Sequence, residues 1–299
     1  MSAFRLPIER RLVGLIGATI GRSLSPALHE DAFAACGMEG HYHLMDSTTP
    51  RKRELAELLA AARTAGFAGV NVTFPFKEAV IGLLDKISPE ASEIGAVNTV
   101  VIDGAGHTMG HNTDRSGFRA AFQETFGADA VRGRTVLQLG AGGAGRAVAF
   151  ALMDLGAAPL GIYDLDASRA RGLCADLAAR FGTDRCKVLG APEPAVASAA
   201  AIVNTTPVGM WSHPGLPMAP DQITASHLVA DVIYTPLETE FIKAAKAKGA
   251  RTMGGGGMCV HQAIDAFRHF TGRTPDLARM KRTFEAACAK SQNVEEVQP

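Results

Sequence analysis

Residues 134–157 read RTVLQLGAGGAGRAVAFALMDLGA: an apolar run, a glycine-rich turn and an Ala-rich stretch. Few folds accept that order. The turn consists of Gly140, Ala141, Gly142, Gly143, Ala144 and Gly145, with glycine in the GxGxxG places at 140, 142 and 145. The first of these permits a tight turn, the second lets backbone approach a pyrophosphate, and the third lets helix and strand pack closely. The N–H groups at the helix start then face the phosphates. In a chain with 32 glycines the spacing alone is weak. Its position between a strand and a helix favours a nucleotide site over a merely structural turn. The next apolar run, APLGIYDLD, reaches Asp164 nineteen residues beyond Gly145. A carboxylate there accepts hydrogen bonds from both ribose hydroxyls and repels a 2′-phosphate, so NAD is favoured and NADP disfavoured. Asp166 is near enough to make the same contact, or to cap the helix that follows, and Arg169 could offset the repulsion.

The same alternation runs through the rest of the chain. LVGLIGAT, HYHLMDS and FAGVNVTFP read as strands. SPALHEDAFAACG, PRKRELAELLAAARTAG and FKEAVIGLLDKI read as helices, the first ended by Gly37, the second with Pro50 near its start and Gly66 past its end. This predicts an α/β fold, a parallel sheet with helices on its faces, before the pattern restarts near residue 128. Length supports two cores, with a connecting helix in the segment around 115–130.

Thirty basic and thirty acidic side chains cancel. That leaves no basic stripe for nucleic acid and no polybasic patch for a membrane surface. No apolar run approaches the ~20 residues of a membrane span. MSAFRLPIERRLVGLIGAT reads as a lead into a first core strand rather than a signal peptide. Cys36, Cys174, Cys186, Cys259 and Cys288 are scattered without a CxxC pair. They predict a reduced cytoplasmic protein with neither a disulfide framework nor a metal site. The tail, SQNVEEVQP, lacks an apolar face and is expected to fray.

Polar residues recur where strands end: Ser23 and Ser25 in GRSLSPALH, Asn71, Thr73 and Lys77 in NVTFPFK, Asn98 in GAVNTV, Asn112 and Asp114 in GHNTD, and Gln262 in HQAIDAF. Singly, each has an ordinary explanation, such as a helix cap at Ser25 or Asp114. Together they supply neutral donors and acceptors plus one amine and one carboxylate, a surface suited to a polyhydroxylated small molecule.

In order along residues 14–272, SLSP, NVTFPFK, GAVNTV, HNTD, GAGGAG, NTTPVGM, DVIYTPLET and GMCVHQ resemble the shikimate dehydrogenase family, and within it the NAD-linked quinate/shikimate dehydrogenases. The resemblance implies an N-terminal α/β substrate domain over 1–114, joined by C-terminal helices of 258–290. A Rossmann domain over 115–257 would follow, with a cleft between the two. By resemblance, Ser23 and Ser25 would hold a substrate carboxylate with Tyr234 nearby. Thr73, Asn98 and Gln262 would bind ring hydroxyls, and Lys77 and Asp114 would form the catalytic pair. Thr205 and Pro207 of NTTPVGM, with Gly257 and Met258, would flank the nicotinamide. The implied reaction is hydride transfer between NAD and the C3 hydroxyl of quinate or shikimate, in quinate catabolism or aromatic amino acid biosynthesis, by a cytoplasmic monomer or homodimer. YDLDASR stands where biosynthetic members commonly place an Arg-containing turn, and Glu30 where many members have Asn; both resemble the NAD-linked branch. Two alternatives stand beside this reading: an NADP-dependent biosynthetic shikimate dehydrogenase, and a non-catalytic, nucleotide-sensing regulator on the same fold. The presence of both Lys77 and Asp114 argues against the regulator.

Overall fold

Six strands of the N-terminal half form one mixed sheet, ordered β2-β1-β3-β5-β6-β4. They are β1 (Arg10–Gly17), β2 (Glu39–Asp46), β3 (Gly69–Val72), β4 (Lys86–Ile87), β5 (Thr99–Ile102) and β6 (Thr108–His111). Helices α1 (Ser25–Ala35) and α2 (Leu55–Thr64) make the crossovers that keep β1, β2 and β3 parallel. The computed structural model describes residues 9–295, so Met1–Ile8 and the last four residues of the tail lie outside the described residues.

Two expectations for this half change. The sheet is not wholly parallel: β5 runs antiparallel to both β3 and β6. Only five residues join β5 to β6, and the Asp103 carboxylate accepts from the N–H groups of Ala105 (2.9 Å) and His107 (2.8 Å) within that turn. A link so short closes a hairpin, whereas a parallel partner needs a long crossover. The helix expected over 76–87 is a single 3₁₀ turn at Ala79–Leu83 followed by β4. Asp85 and Thr108 exchange backbone and side-chain bonds of 2.8–2.9 Å, which draw this segment onto the sheet edge as a strand.

A short helix α3 (Pro89–Ile94) precedes β5, and α4 (Asp114–Phe126) leads into the second half. There β7 (Val136–Leu139), β8 (Leu160–Tyr163), β9 (Cys186–Val188), β10 (Ala201–Asn204), β11 (Leu228–Asp231) and β12 (Arg251–Met253) form an all-parallel sheet ordered β12-β11-β10-β7-β8-β9. That is the doubly wound dinucleotide-binding order, with its switch point between β7 and β10. The associated helices are α5 (Gly143–Asp154), α6 (Ala167–Phe181), α7 (Glu193–Val196) and α8 (Glu240–Ala247). The chain then forms α9 (Gly256–Thr271) and α10 (Leu277–Glu295); α10 continues through 291–295, where fraying was expected.

Among the described residues one compact unit comprises 9–91, 97–113 and 263–295, and the other 92–96 and 114–262. Segment 92–96 belongs with the second sheet for physical reasons. Ile94 and Ala96 join its apolar cluster, the Arg146 guanidinium bonds the Ile94 carbonyl, and Glu93 pairs with Arg115 and Arg180. In the same unit Arg115 grips Asp154 with two parallel bonds of 2.7 Å and lies over the Phe150 ring, locking α4 to α5. Cys174 and Cys186, expected as free thiols, are joined as a disulfide between α6 and β9. The twelve-residue separation carries no CxxC signal; it is the packing of α6 on β9 that brings the two sulfurs together.

The first unit buries His29 outright. This residue of α1 is 1% exposed and stacks on Tyr42 at 4.6 Å, with Phe267 and Phe270 of α9 about its rim. Its Nδ1 has no hydrogen-bond partner, and burial lowers its pKa to about 3. The folded state therefore resists a proton that the unfolded chain accepts near pH 6.5. Stability contributed by neutral His29 is complete above that pH and is lost as pH falls from about 6.5 towards 3, at ~1.4 kcal/mol per unit of pKa difference. His29→Gln should lose less melting temperature than wild type between about pH 7 and pH 4.5. Parallel acid slopes in calorimetry would assign the loss to other groups.

Candidate functional site

In the first unit the predicted polar residues gather at one end of the mixed sheet. The C-terminal ends of β1, β2, β3 and β6 lie on that side, as does the N-terminal end of antiparallel β5. Ser23 and Ser25 follow β1. Ser23 Oγ donates to Ser25 Oγ at 3.2 Å, and Ser25 is the first residue of α1 rather than its cap. A residue missed in the sequence holds this turn. The Asp46 carboxylate, at the end of β2, accepts from the N–H groups of Ile20 (2.9 Å) and Thr19 (3.3 Å) and from the N–H and hydroxyl of Thr48 (2.8 and 2.6 Å). Burial pushes its pKa up, but the bonds from Thr48, Ile20 and Thr19 prevail and hold it at about 2. Thr19 sits at φ 57°, a strained value that these contacts sustain.

Thr73 follows β3, its N–H bonded to the Ile16 carbonyl at 2.9 Å. A Cβ on Gly17 would lie 2.4 Å from the Thr73 methyl, so glycine is required for this approach. Lys77 stands half-buried, its carbonyl accepting from Val97 N–H at 2.8 Å. Asn98 is 3% exposed and fully oriented by the protein. Its side-chain oxygen accepts from Thr113 N–H (2.8 Å) and the Thr99 hydroxyl (3.0 Å), and its amide donates to the Thr113 hydroxyl (2.9 Å). Behind it the Asn71 amide donates to Thr99 and to the Asn98 carbonyl, while Tyr42 donates to the Asn71 oxygen at 2.8 Å.

The second unit carries the rest. Asp114 opens α4 directly after Thr113. One turn along, Gly117 packs so closely on α9 that an added Cβ would lie 2.9 Å from Gln262, which brings Gln262 beside the start of α4. Gln262 donates to the Cys259 carbonyl at 2.9 Å. Met258 is buried in the unit's core, Gly257 packs on Ala121, and Tyr234 is half-buried after β11.

The glycine-rich turn fits a dinucleotide. Gly140 has φ 98°, and a Cβ on Gly145 would lie 2.6 Å from the Gly140 carbonyl. Gly142 is open: only the Arg169 guanidinium comes within 4 Å of where its Cβ would sit. It precedes α5 without a side-chain cap, leaving helix N–H groups for phosphate. Thr205 Oγ donates to the carbonyls of Leu139 (2.8 Å) and Gly140 (3.0 Å), stitching the loop of Thr205 and Pro207 to the turn across the switch point. Asp164 stands half-exposed beside it, accepting from Ala141 N–H (2.7 Å) and Asp166 N–H (2.8 Å). Asp166 caps α6 through Ser168 N–H and lies 3.8 Å from Arg169. The two candidate carboxylates thus have different tasks: one borders the turn, the other starts a helix.

Known proteins share both the sequence and this architecture. Residues 15–100 match the shikimate dehydrogenase substrate binding domain and residues 255–283 the shikimate 5′-dehydrogenase C-terminal domain. The chain is 46% identical over 277 residues to a quinate/shikimate dehydrogenase (NAD(+)) of Corynebacterium efficiens, covering 91% of this chain and 97% of that one. It belongs to the shikimate dehydrogenase family. It is also 46% identical to a shikimate dehydrogenase (NADP(+)) of Streptomyces avermitilis, over 90% of this chain and 93% of the relative. In structure it resembles quinate dehydrogenase from Corynebacterium glutamicum in complex with NAD, with a TM-score of 0.85 and 44% identity, covering 93% and 99% of the two chains. No helix among the described residues is long and apolar enough to cross a membrane.

The two carboxylates after β8 can be told apart by substitution. Asp164→Ser should lower kcat/KM with NAD and shift the NAD:NADP ratio towards NADP by at least about tenfold, or ~1.4 kcal/mol. Asp166→Ser keeps a capping oxygen and should leave that ratio within about threefold. Initial rates with both cofactors decide; a shift confined to Asp166→Ser would move the ribose contact to that residue.

Proposed function

We propose that this enzyme is an NAD-preferring quinate/shikimate dehydrogenase in which Lys77 and Asp114 manage the proton and the second unit presents the cofactor. The observation carrying the cofactor choice is Asp164, an acceptor tied by its own carboxylate to the Ala141 N–H of the glycine-rich turn. Bound NAD would supply the acceptor for a hydride from the C3 hydroxyl-bearing carbon of quinate or shikimate, giving 3-dehydroquinate or 3-dehydroshikimate. Removing that hydride also requires removing the hydroxyl proton, for which the chain supplies Lys77 as general base, oriented by Asp114; in the reverse direction the ammonium returns the proton. Ser23 and Ser25 bind the substrate carboxylate, with Tyr234 near it. Thr73, Asn98 and Gln262 bind ring hydroxyls, and the fixed orientation of Asn98 makes its contribution position-specific. The glycine-rich turn holds the pyrophosphate, Asp164 and Arg169 border the adenosine, and Thr205, Pro207, Gly257 and Met258 border the nicotinamide. The cytoplasm, where this cofactor and these acids meet, is the setting that suits such an enzyme, as a monomer or homodimer.

Lys77→Ala should lower kcat by roughly 10²–10⁴-fold, the range for a positioned acid–base group, while KM changes less. More than about a third of wild-type turnover in that variant, with chemistry rate-limiting, would remove Lys77 from the proton path. Initial rates for quinate and shikimate, each with NAD and NADP, test the whole reading. A preference for NADP would select the biosynthetic enzyme. NAD binding without turnover of either acid would select the regulator.

A further inference from the structure

The second unit contains a buried carboxylate that none of these roles uses. Asp231 ends β11, has no exposed surface, and accepts only from neutral groups among the described residues. Its Oδ1 accepts from the Asn204 amide (3.1 Å) and Ile233 N–H (3.0 Å), and its Oδ2 from the Thr239 hydroxyl (2.7 Å). Thr239 in turn caps α8 through Ile242 N–H. Asn204 continues the chain. Its side-chain oxygen accepts from Thr206 N–H (3.0 Å) and the Thr206 hydroxyl (2.7 Å), and its amide also donates to the Val208 carbonyl (3.1 Å). Val208 N–H donates back to Thr206 Oγ at 3.2 Å. The carboxylate is thereby linked, through Asn204, to Thr206 and Val208 of the loop that leaves β10.

That loop lies at the switch point. The doubly wound sheet has two halves, β7–β8–β9 and β10–β11–β12, and a dinucleotide lies across the crevice between them at the C-terminal strand ends. Asp164 places the adenosine ribose on the first half, so the nicotinamide half falls beside the loop after β10. Asp231 lies level with Asn204, Leu139 and Tyr163, one residue short of the level of Asp164. Both carboxylates accept the N–H two residues onward, at 2.8 Å for Asp164 and 3.0 Å for Asp231. The first half turns its acid towards solvent and ligand; the second half turns its acid inward.

We infer that Asp231 is a positioning residue for the nicotinamide half-site, acting through Asn204 on the loop 205–208; the inference rests on the dinucleotide reading given above. An unpaired buried carboxylate is costly, and an apolar residue would fill the place without that cost. What an apolar residue lacks is three acceptor contacts converging from β10, the turn after β11 and the start of α8. Burial raises the Asp231 pKa to about 6, against the bonds from Ile233, Thr239 and Asn204 that lower it. The charged side chains next to Thr239 are paired elsewhere, Glu238 with Lys246 and Glu240 with Lys243, at the surface. Below about pH 6 the carboxyl takes a proton, one acceptor position becomes a donor, and the loop loses part of its hold.

The test compares ADP, which probes the adenosine half, with NAD, which probes both, by calorimetry on the full-length protein at about pH 7.5, where the carboxylate is charged. Asp231→Ala should weaken NAD at least about tenfold and Asp231→Asn at least about threefold, while ADP stays within about twofold of wild type. NAD affinity should also fall between about pH 7 and pH 5.5 in wild type but not in Asp231→Asn. Should Asp231→Ala fail to fold, Thr206→Val reads the same NAD:ADP ratio from the partly exposed end of the chain of bonds. Unchanged NAD affinity, or an equal loss for ADP, overturns the positioning role. These binding ratios do not depend on turnover, so an enzyme inactive on quinate and shikimate would refute the dehydrogenase reading and leave this one to be judged by itself.

Discussion

The second unit depends on one close approach. Gly140, Gly145 and Thr205 meet where β7 and β10 part, and a side chain on either glycine would collide with the Thr205 hydroxyl at 2.8 Å. That contact lets α5 begin immediately behind the turn, which in turn aims its N–H groups at one point. Gln138 reinforces it from within the sheet, donating to the carbonyls of Gly140 and Gly145 at 2.8 Å. Two buried side chains, Gln138 and Thr205, thus hold the backbone of the turn. Asp164 on one side and the loop after β10 on the other flank that frame, the first bonded to Ala141 N–H and the second held through Thr205 and Asn204.

The first unit solves a different problem. On the proposed reading its polar residues present defined donors and acceptors to a small hydroxylated acid, and several are buried. The chain Tyr42–Asn71–Thr99–Asn98–Thr113 meets this by letting each side chain satisfy the next. A buried amide left to itself would rotate or cost desolvation energy of roughly 1–3 kcal/mol; here its orientation is dictated by neighbours that are themselves fixed. His29 closes the far end with a ring stacked on Tyr42, and its burial is what makes that end sensitive to acid. Asp46 does for the serine turn what Asn71 does for Asn98, and the bonds it accepts hold its pKa at about 2, so it stays an acceptor near neutral pH.

Much of this was legible in the sequence, and what was not has a common cause. The strand–turn–helix at 134–157 was readable because its glycines have local reasons to be where they are. Asp164 and Asp166 could be named but not separated, because their tasks differ only in which N–H each accepts, Ala141 or Ser168. The antiparallel strand β5 announces itself only through the short link to β6, which periodicity does not register. Asp46, Arg115 and Asp231 act through partners distant in sequence, at separations of 26, 39 and 27 residues, so no local spacing marks them. A polar residue closing an apolar run, as in HLMD and LVAD, is the one signal that points to two of them. Cys174 and Cys186 fail for the same reason: their meeting is a product of α6 lying on β9.

Cofactor choice shows how little of the chain decides a chemical preference. Relatives named for NAD(+) and for NADP(+) are equally similar, at 46% identity, so overall likeness does not discriminate. On the proposed reading, electrostatics at one strand end does. At an effective dielectric near 20, a carboxylate and a phosphate charge ~4 Å apart repel by about 4 kcal/mol, and solvent at a half-exposed position reduces this. Arg169 is the cation available to reduce it further, but it lies 3.8 Å from Asp166, a second carboxylate. Both partners of that pair are more than half exposed, and such a pair is worth at most ~1 kcal/mol. Arg169 is therefore tethered weakly rather than locked. On the proposed reading, the preference for NAD follows from two acids and one arginine on one short arc, with the nearer acid held in place by the Ala141 N–H of the glycine-rich turn.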